Sequence, residues 1–295
     1  MIQVVLALVD VIHHGKPAQK KVLSIYLRSF LFSTSEMKNY QGYIIDINKN
    51  DDSCTNLLYE INRLVNEENE NFWFMRKEFE VPHLRMRFKT NVKSKEIEDF
   101  LYTKTENKCN KVIYEPETLL FGGDDGIDIA HEIFCLITKM FCIYMERCEK
   151  KDEKIIIFLW VTNYMVNSIA SDKFEAWDIW EKVYKMRKFD PGKYCELIEN
   201  YKESINFISD INKEKFIELY ISKYNSIQFD EFLAKLYKQL YNLKSAYFYG
   251  KLSCGLRGIL SRIIIFCWNI FGFNGSMQGL FSYLFSLKYR NDSLT

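Results

Sequence analysis

The chain has few helix and strand breakers: 4 prolines and 12 glycines in 295 residues. That scarcity excludes collagen-like and low-complexity classes and implies long uninterrupted elements, mostly helices. No internal period is present, which excludes a solenoid. Neither charge is in excess, since Lys plus Arg is 40, Asp plus Glu is 39 and the net charge is +1. Nucleic-acid binding by bulk charge needs a basic surplus, so that class is set aside, and only a local basic patch stays open. Among eight cysteines there is no Cys-x-x-Cys pair, which argues against a zinc ribbon or a thioredoxin-type site. Cys135, Cys142 and Cys267 lie in apolar company and read as buried free thiols of a reducing, cytoplasmic compartment. His13, His14, His83 and His131 are too scattered to suggest a metal site. A long hydrophobic run is missing too. Residues 259–273 are the most apolar, but Arg262 interrupts them, and about a dozen unbroken apolar residues fall short of the ~20 that a bilayer needs. They read as a buried helix rather than a membrane span. Residues 1–9 lack the basic start of a signal peptide.

What is present is apolar mass: 48% hydrophobic and 16% aromatic residues, enough for a full core in one domain over residues 1–295. Tyr43-Ile44-Ile45-Asp46-Ile47 reads as a strand, and residues 48–52 as a polar turn. Ser53 is the expected cap of a helix whose stripe is Leu57, Leu58, Ile61, Leu64 and Val65. Residues 72–76 and 84–88 read as strands joined through Pro82, and Val112-Ile113-Tyr114 as a third short one. Beyond residue 127 helices dominate. One is marked by Ile129, Ile133, Ile137, Met140 and Tyr144; residues 155–170 form another, nearly apolar all round and therefore central. Phe229, Phe232, Leu233, Leu236 and Leu240 mark a helix near residue 235, and residues 259–271 and 280–287 close the chain. The class is α+β: a small antiparallel sheet in the N-terminal part and a mainly helical C-terminal body. The aromatics between residues 156 and 185 read as core rather than as a base-stacking platform.

The densest local chemistry is His83-Leu84-Arg85-Met86-Arg87. Strand alternation sends Arg85 and Arg87 out of one face together. Two readings fit this spacing: a double guanidinium fork for a carboxylate or other anion, and two solvated arginines on a surface strand. His83 is either an acid–base group or an ordinary loop histidine. In Tyr114-Glu115-Pro116-Glu117, Glu117 could orient an arginine or move a proton, or simply end a strand. Gly122-Gly123-x-x-Gly126 lacks the Lys-Ser/Thr of a P-loop and the spacing of a dinucleotide fingerprint, and reads as a turn before a helix.

Together these pieces resemble one family. Phe72-Trp73-Phe74-Met75-Arg76 followed by Pro82-His83-Leu84-Arg85-Met86-Arg87-Phe88 looks like its "W-F-F-I-R-Y … P-H-L-R-L-R-F" signature. Tyr114-Glu115-Pro116-Glu117 with Phe121-Gly122-Gly123 looks like "Y-x-P-E-x-x-R-Y-G-G", and Ala130-His131-Glu132-Ile133-Phe134 fits the helix that follows. Trp268-Asn269-Ile270-Phe271-Gly272 and then Gln278 resemble, more faintly, "H-x-H-x-N-R-L-x-G … E". The family is the thiopeptide-type bacteriocin biosynthesis domain, also found at the C-terminus of lantibiotic dehydratases.

The resemblance implies modification of a ribosomally made precursor peptide by one of two chemistries. One eliminates glutamate from glutamylated Ser or Thr. The other, in stand-alone members, joins two dehydroalanines by a formal [4+2] cycloaddition and then loses water and leader peptide to give a pyridine. The arginines that hold glutamate in the elimination enzymes match Arg85 and Arg87. A further family arginine falls on Leu120, the late catalytic histidine falls within Ile264-Ile265-Phe266-Cys267, and the family's Asp-Ser becomes Ile137-Thr138. These departures favour pyridine formation over elimination, with a catalytically degenerate, peptide-binding dehydratase subunit as a third reading. On this basis Tyr114, Glu117 and His83 are the expected proton-transfer residues, and Arg85, Arg87, Arg76, Asn269 and Gln278 the expected peptide-binding ones. The expected partner is a leader–core precursor peptide, with dehydratase subunits or a second copy of the chain as further candidates. No metal, nucleotide or other cofactor, and no nucleic acid, is expected.

Overall fold

A computed structural model describes residues 40–46, 51–66, 72–77, 84–89, 94–106, 108–147, 150–187, 189–224 and 226–294. His83, a candidate acid–base group, and the Pro82 joint lie outside them. The strands are β1 (Tyr40–Ile45), β2 (Phe72–Arg76), β3 (Leu84–Lys89) and β4 (Cys109–Val112), in the order β2-β3-β1-β4 with every pairing antiparallel. Helix α1 (Asp51–Asn66) follows β1 and α2 (Ser94–Lys104) follows β3. After β4 come α3 (Asp124–Arg147), α4 (Lys151–Ile169), α5 (Lys173–Arg187), α6 (Cys195–Asp210), α7 (Ser226–Phe248), α8 (Leu256–Phe271) and α9 (Gly275–Leu294). The class is therefore α+β, as the sequence indicates.

Alternation gives the sheet two different faces. In register, Tyr43, Ile45, Leu84, Met86, Phe88, Phe72 and Phe74 share one, and all are buried. The Tyr43 hydroxyl donates to Glu98 of α2 across 3.3 Å, which places α2 on that side. Tyr40, Gly42, Ile44, Trp73, Met75, Arg85, Arg87 and Lys89 share the other. Helix α3 runs beside the β2 edge and touches both faces: Trp73 meets Phe134, and Phe74 meets Phe141. The stripe of α1 is buried at Leu57, Leu58, Ile61 and Val65. Sheet and helices share one buried core.

Three sequence expectations shift. Helix α1 starts at Asp51, so Ser53 lies within its first turn and is not its cap. The third strand lies earlier than expected, ending at Val112. Tyr114 lies beyond the ladder, with its ring 7% exposed. Helix α5, not foreseen, carries the signal Ser171-Asp172-x-x-Glu175: Asp172 accepts from the Glu175 amide (2.8 Å) and Glu175 accepts from the Ser171 amide (2.8 Å). It packs between α8 and α9, with Trp180 stacked on Phe285 at 4.3 Å and on Trp268 at 5.7 Å. Phe158, Trp160 and Trp180 are buried, which makes the aromatic stretch core. No helix among the described residues is long and apolar enough to cross a membrane. The seven described cysteines are free thiols.

Candidate functional site

The site is assembled on the polar sheet face. Gly42 stands opposite Arg87 in the β1–β3 register. A Cβ at position 42 would lie 3.3 Å from an Arg87 terminal nitrogen, so the missing side chain lets the guanidinium fold back across β1. It ends over the Tyr114 ring, 4.7 Å from the centroid. Its Nη1 donates to the Met86 carbonyl (2.7 Å), while its Nε is buried with no partner among the described residues. Arg87 is 8% exposed, so it is not displayed to solvent as the fork reading has it. Burial lowers its pKa, and neighbouring Arg85 adds to that, while Tyr114 and Glu117 oppose it. A desolvated cation over a phenol ring gains about 2 kcal/mol from the ring quadrupole.

The Tyr114 hydroxyl lies 2.7 Å from Nε2 of His131 on α3. The imidazole is stacked on Trp73 (5.7 Å, 26°) and tilted against Tyr40 (4.7 Å). His131 is 4% exposed, and its Nδ1 has no partner among the described residues. Burial, with Arg87 and Lys89 nearby, pushes its pKa down to about 3, so the ring is neutral at neutral pH. The Tyr40 hydroxyl lies 4.0 Å from Cys135 Sγ. Burial raises both, the thiol to about 12, so neither ionises at neutral pH.

The expected residues thus separate into groups. Arg87, Tyr114 and, through its charge, Glu117 come together. Arg85 shares the Arg87 face and is half-buried, and Glu117 is exposed on the segment that enters the 3-10 turn Thr118–Phe121. Arg76 lies on the opposite face, its guanidinium over the Phe74 and Phe141 rings and against Gly272 at the end of α8. Asn269 and Gln278 meet each other instead of Tyr114. Gln278, 2% exposed, donates through Nε2 to Asn269 Oδ1 (2.9 Å) and to the Phe273 carbonyl (2.6 Å). Those bonds fasten the α8–α9 corner, where Gly272 (φ 81°) and the Phe273 amide close a Schellman turn. At the departures from the family pattern, Leu120 is 44% exposed. Phe266 is stacked flat on Phe134 (5.2 Å, 12°) and edge-on to Phe121. Ile137 and Thr138 are fully buried.

Sequence reasoning passed over His131, Trp73 and Lys89 as site residues. The available signal was His131 in the helical series with Phe134, Cys135 and Thr138, one titratable group on an otherwise core-facing stripe. Lys89 continues the Arg85–Arg87 alternation and pairs with Glu132 at 3.0 Å. Both partners are more than a third exposed, so Glu132→Ala should cost less than about 1 kcal/mol in urea unfolding. Among the described residues no three His, Cys, Asp or Glu side chains are grouped to hold a metal ion.

The fold is similar to that of the tRNA-dependent lantibiotic dehydratase MibB from Microbispora sp. 107891, at 12% identity and a TM-score of 0.59. That match covers 87% of this chain and 29% of the dehydratase, so the chain corresponds to under a third of that protein's length. It is also similar to TsrL, at 11% identity and a TM-score of 0.53, covering 87% of this chain and 95% of that one. No curated protein matches. The family described as "Lantibiotic biosynthesis dehydratase C-term" matches residues 46–284. Strands β2 and β3, the Tyr114 segment and the α8–α9 corner all fall within that span, and the chain belongs to this family of lantibiotic dehydratase C-terminal domains.

Proposed function

We propose that the protein tailors a ribosomally synthesised precursor peptide by closing a pyridine from two dehydroalanines. The observation that carries this choice over glutamate elimination is the stretch Ile264-Ile265-Phe266-Cys267, where the elimination enzymes keep their late histidine. Here it holds none: Ile264, Ile265 and Cys267 are buried, and Phe266 is stacked on Phe134 and edge-on to Phe121. Elimination needs a base for the α-proton as well as cations for the glutamate, and this stretch presents no such base. With Leu120 in place of a family arginine, the elimination apparatus is short of two parts.

Cyclisation asks less of acid–base groups and more of orientation. One dehydroalanine and the amide before it, in its imidic-acid form, supply the four-atom azadiene; the second dehydroalanine supplies two carbons. Two C–C bonds close the ring, and loss of water and then of the leader as a carboxamide makes it aromatic. Holding both reactants in contact converts the closure into a unimolecular step. Arg85, half-buried on the same sheet face, is suited to a peptide carbonyl, while Arg87 stays over the Tyr114 ring. Tyr114 gives its proton to the departing hydroxyl, and the ring proton released afterwards returns to the phenolate, which the Arg87 guanidinium over the ring stabilises meanwhile.

The test is to incubate the purified protein with a bis-dehydroalanine leader–core peptide and, separately, with a glutamylated one, and to weigh the products. The expected result is loss of water and of the leader from the first and no change in the second. Loss of glutamate from the second establishes elimination instead. Tight binding with no change in either identifies a peptide-holding subunit.

A further inference from the structure

We propose that the outer edge of β4 docks the precursor peptide: an extended stretch of the peptide adds to the sheet beside Lys111 and Ile113 and is thereby delivered to Tyr114. This rests on the proposed function for the identity of the peptide. The open edge itself does not.

The phase of the ladder decides which backbone groups point outward. In an antiparallel pair, hydrogen-bonded and non-hydrogen-bonded positions alternate. The Asp46 amide donates to the Lys108 carbonyl (3.1 Å), and the register continues with Ile44 opposite Asn110 and Gly42 opposite Val112. Asn110 and Val112 therefore turn their amides and carbonyls to β1, and those of Lys111 between them turn away. The Tyr114 ring lies 6.3 Å from that of Tyr40, two residues before Gly42, so the chain keeps this alternation through Ile113. Among the described residues nothing bonds the outward groups of Lys111 and Ile113, and β4 is the last strand of the sheet. Cys109 is buried, so the open length begins at Asn110; Asn110 and Lys111 are exposed, and Ile113 is 76% exposed.

Open edges are ordinarily guarded by a proline, a bulge or a lysine held outward. Residues 109–113 contain no proline, and β4 pairs with β1 without a bulge. Lys111 is drawn aside to α2, its Nζ 3.0 Å from Glu98 and over the Tyr43 ring. Ile113 instead holds an apolar side chain in solvent.

The edge leads to the site. An added strand alternates in step with β4, about 4.8 Å away, so its residue beside Val112 shares the face of Gly42 and Arg87. The Arg87 guanidinium crosses at Gly42 towards β4: a Cβ there would lie 3.0 Å from the Val112 carbonyl oxygen as well as 3.3 Å from Arg87 Nη1. Tyr114 follows two residues on, about 7 Å along the strand. The strand that grips the peptide thus ends at the residue proposed to act on it, and this continuity selects the substrate as the occupant. Main-chain bonds also suit a partner whose reacting residues, dehydroalanines, offer little side chain to hold. A second copy fits less well, because residues 108–113 include Lys108 and Lys111 and no acid, and pairing the edge with its own image sets like charges together.

Hydrogen exchange of the full chain, with and without the bis-dehydroalanine leader–core peptide, tests the docking. The Lys111 and Ile113 amides are expected to exchange fast in the protein alone and to slow about tenfold or more when the peptide saturates it. The Asn110 and Val112 amides, paired to β1, should be slow in both states. Outward amides that stay fast with peptide present, or are already slow without it, overturn the inference. Slowing that grows with protein concentration gives the edge to a second copy and overturns it too. Ile113→Pro removes an outward amide and spares the β1 ladder, and is expected to weaken peptide binding on the order of tenfold in calorimetry. Ile113→Ala keeps the amide and should weaken it less than about threefold. Equal losses in the two variants mean a side-chain contact rather than strand addition and overturn the inference. If Ile113→Pro does not fold, exchange in the wild-type protein still decides. A peptide that protects the edge but yields no pyridine leaves the docking strand assigned and removes the proposed function; pyridine formed with the edge unprotected does the reverse.

Discussion

Gly126→Ala is expected to destabilise the protein by about 3 kcal/mol or more, the largest single-residue effect anticipated. Gly126 sits in the first turn of α3, and a Cβ there would lie 1.8 Å from the Phe121 carbonyl oxygen and 2.9 Å from its carbon. Those are backbone atoms, so no rotamer change relieves the clash. The 3-10 turn Thr118–Phe121 would have to move away from α3. That turn is held on three sides: the Gly123 amide donates to the Thr118 carbonyl (2.9 Å), the Ser253 amide to the Gly122 carbonyl (2.8 Å), and Phe121 is fully buried against Phe134 and Phe266. The same turn leads back to Glu117 and Tyr114 and leads on to His131, so the variant should lose alignment of the site along with stability. Gly255→Ala is the control, since nothing lies within 4 Å of its Cβ position and its φ is −68°; it should stay within about 0.5 kcal/mol of wild type. Urea unfolding of both decides the point. A Gly126→Ala protein as stable as the control would mean that α3 does not start this close to the turn.

How far the sequence discloses this architecture depends on which signal each part carries. Strands β2 and β3 were legible almost to the residue, because Leu84, Met86 and Phe88 alternate with Arg85, Arg87 and Lys89, and period two admits one reading. Long helices with a core-facing stripe, such as α3 and α7, were legible for the matching reason. Helix α5 was not. It is buried between α8 and α9, its apolar and polar residues do not segregate cleanly, and only the Asp172–Glu175 cap announces it. For the site, alternation located Arg85 and Arg87 but not their fates. The fold of Arg87 over Tyr114 depends on Gly42, 45 positions earlier and opposite it only once β1 pairs with β3. No local pattern encodes that gap. His131 was hidden likewise, since a histidine on a helical stripe looks the same whether it fills a core or holds a tyrosine. The partner 17 residues away is what distinguishes the cases. Asn269 and Gln278 were found by motif position, but their meeting at the α8–α9 corner, where Gln278 donates to Asn269 and to the Phe273 carbonyl, is visible only once the two helices turn on each other.

Stability should fall by about 2 kcal/mol between pH 7.5 and pH 5 through His131 alone. The sign follows from the two states. In the unfolded chain the imidazole has its ordinary pKa of 6.5, and in the folded protein burial beside Arg87 and Lys89 pushes it down to about 3. Between those values the unfolded chain binds a proton that the folded protein refuses, so acid favours unfolding. The contribution is fully present above pH 6.5 and is lost progressively as the pH falls towards 3. The interval above pH 5 is the informative one, because ordinary carboxylates begin to take up protons below it and add slopes of their own. Asp128 complicates the lower end further, its pKa being raised by burial and by Asp124 and Asp125. Urea midpoints of wild type and His131→Gln at pH 7.5, 6.5, 5.8 and 5.0 isolate the term. His131→Gln is expected to start lower, since its amide fits the Trp73–Tyr40 slot less well, and then to decline less steeply, so that the two curves converge towards pH 5. Parallel curves would show that the imidazole accepts its proton in place. They would also remove the reason for treating Arg87 as a cation that excludes a second charge from this corner of the sheet.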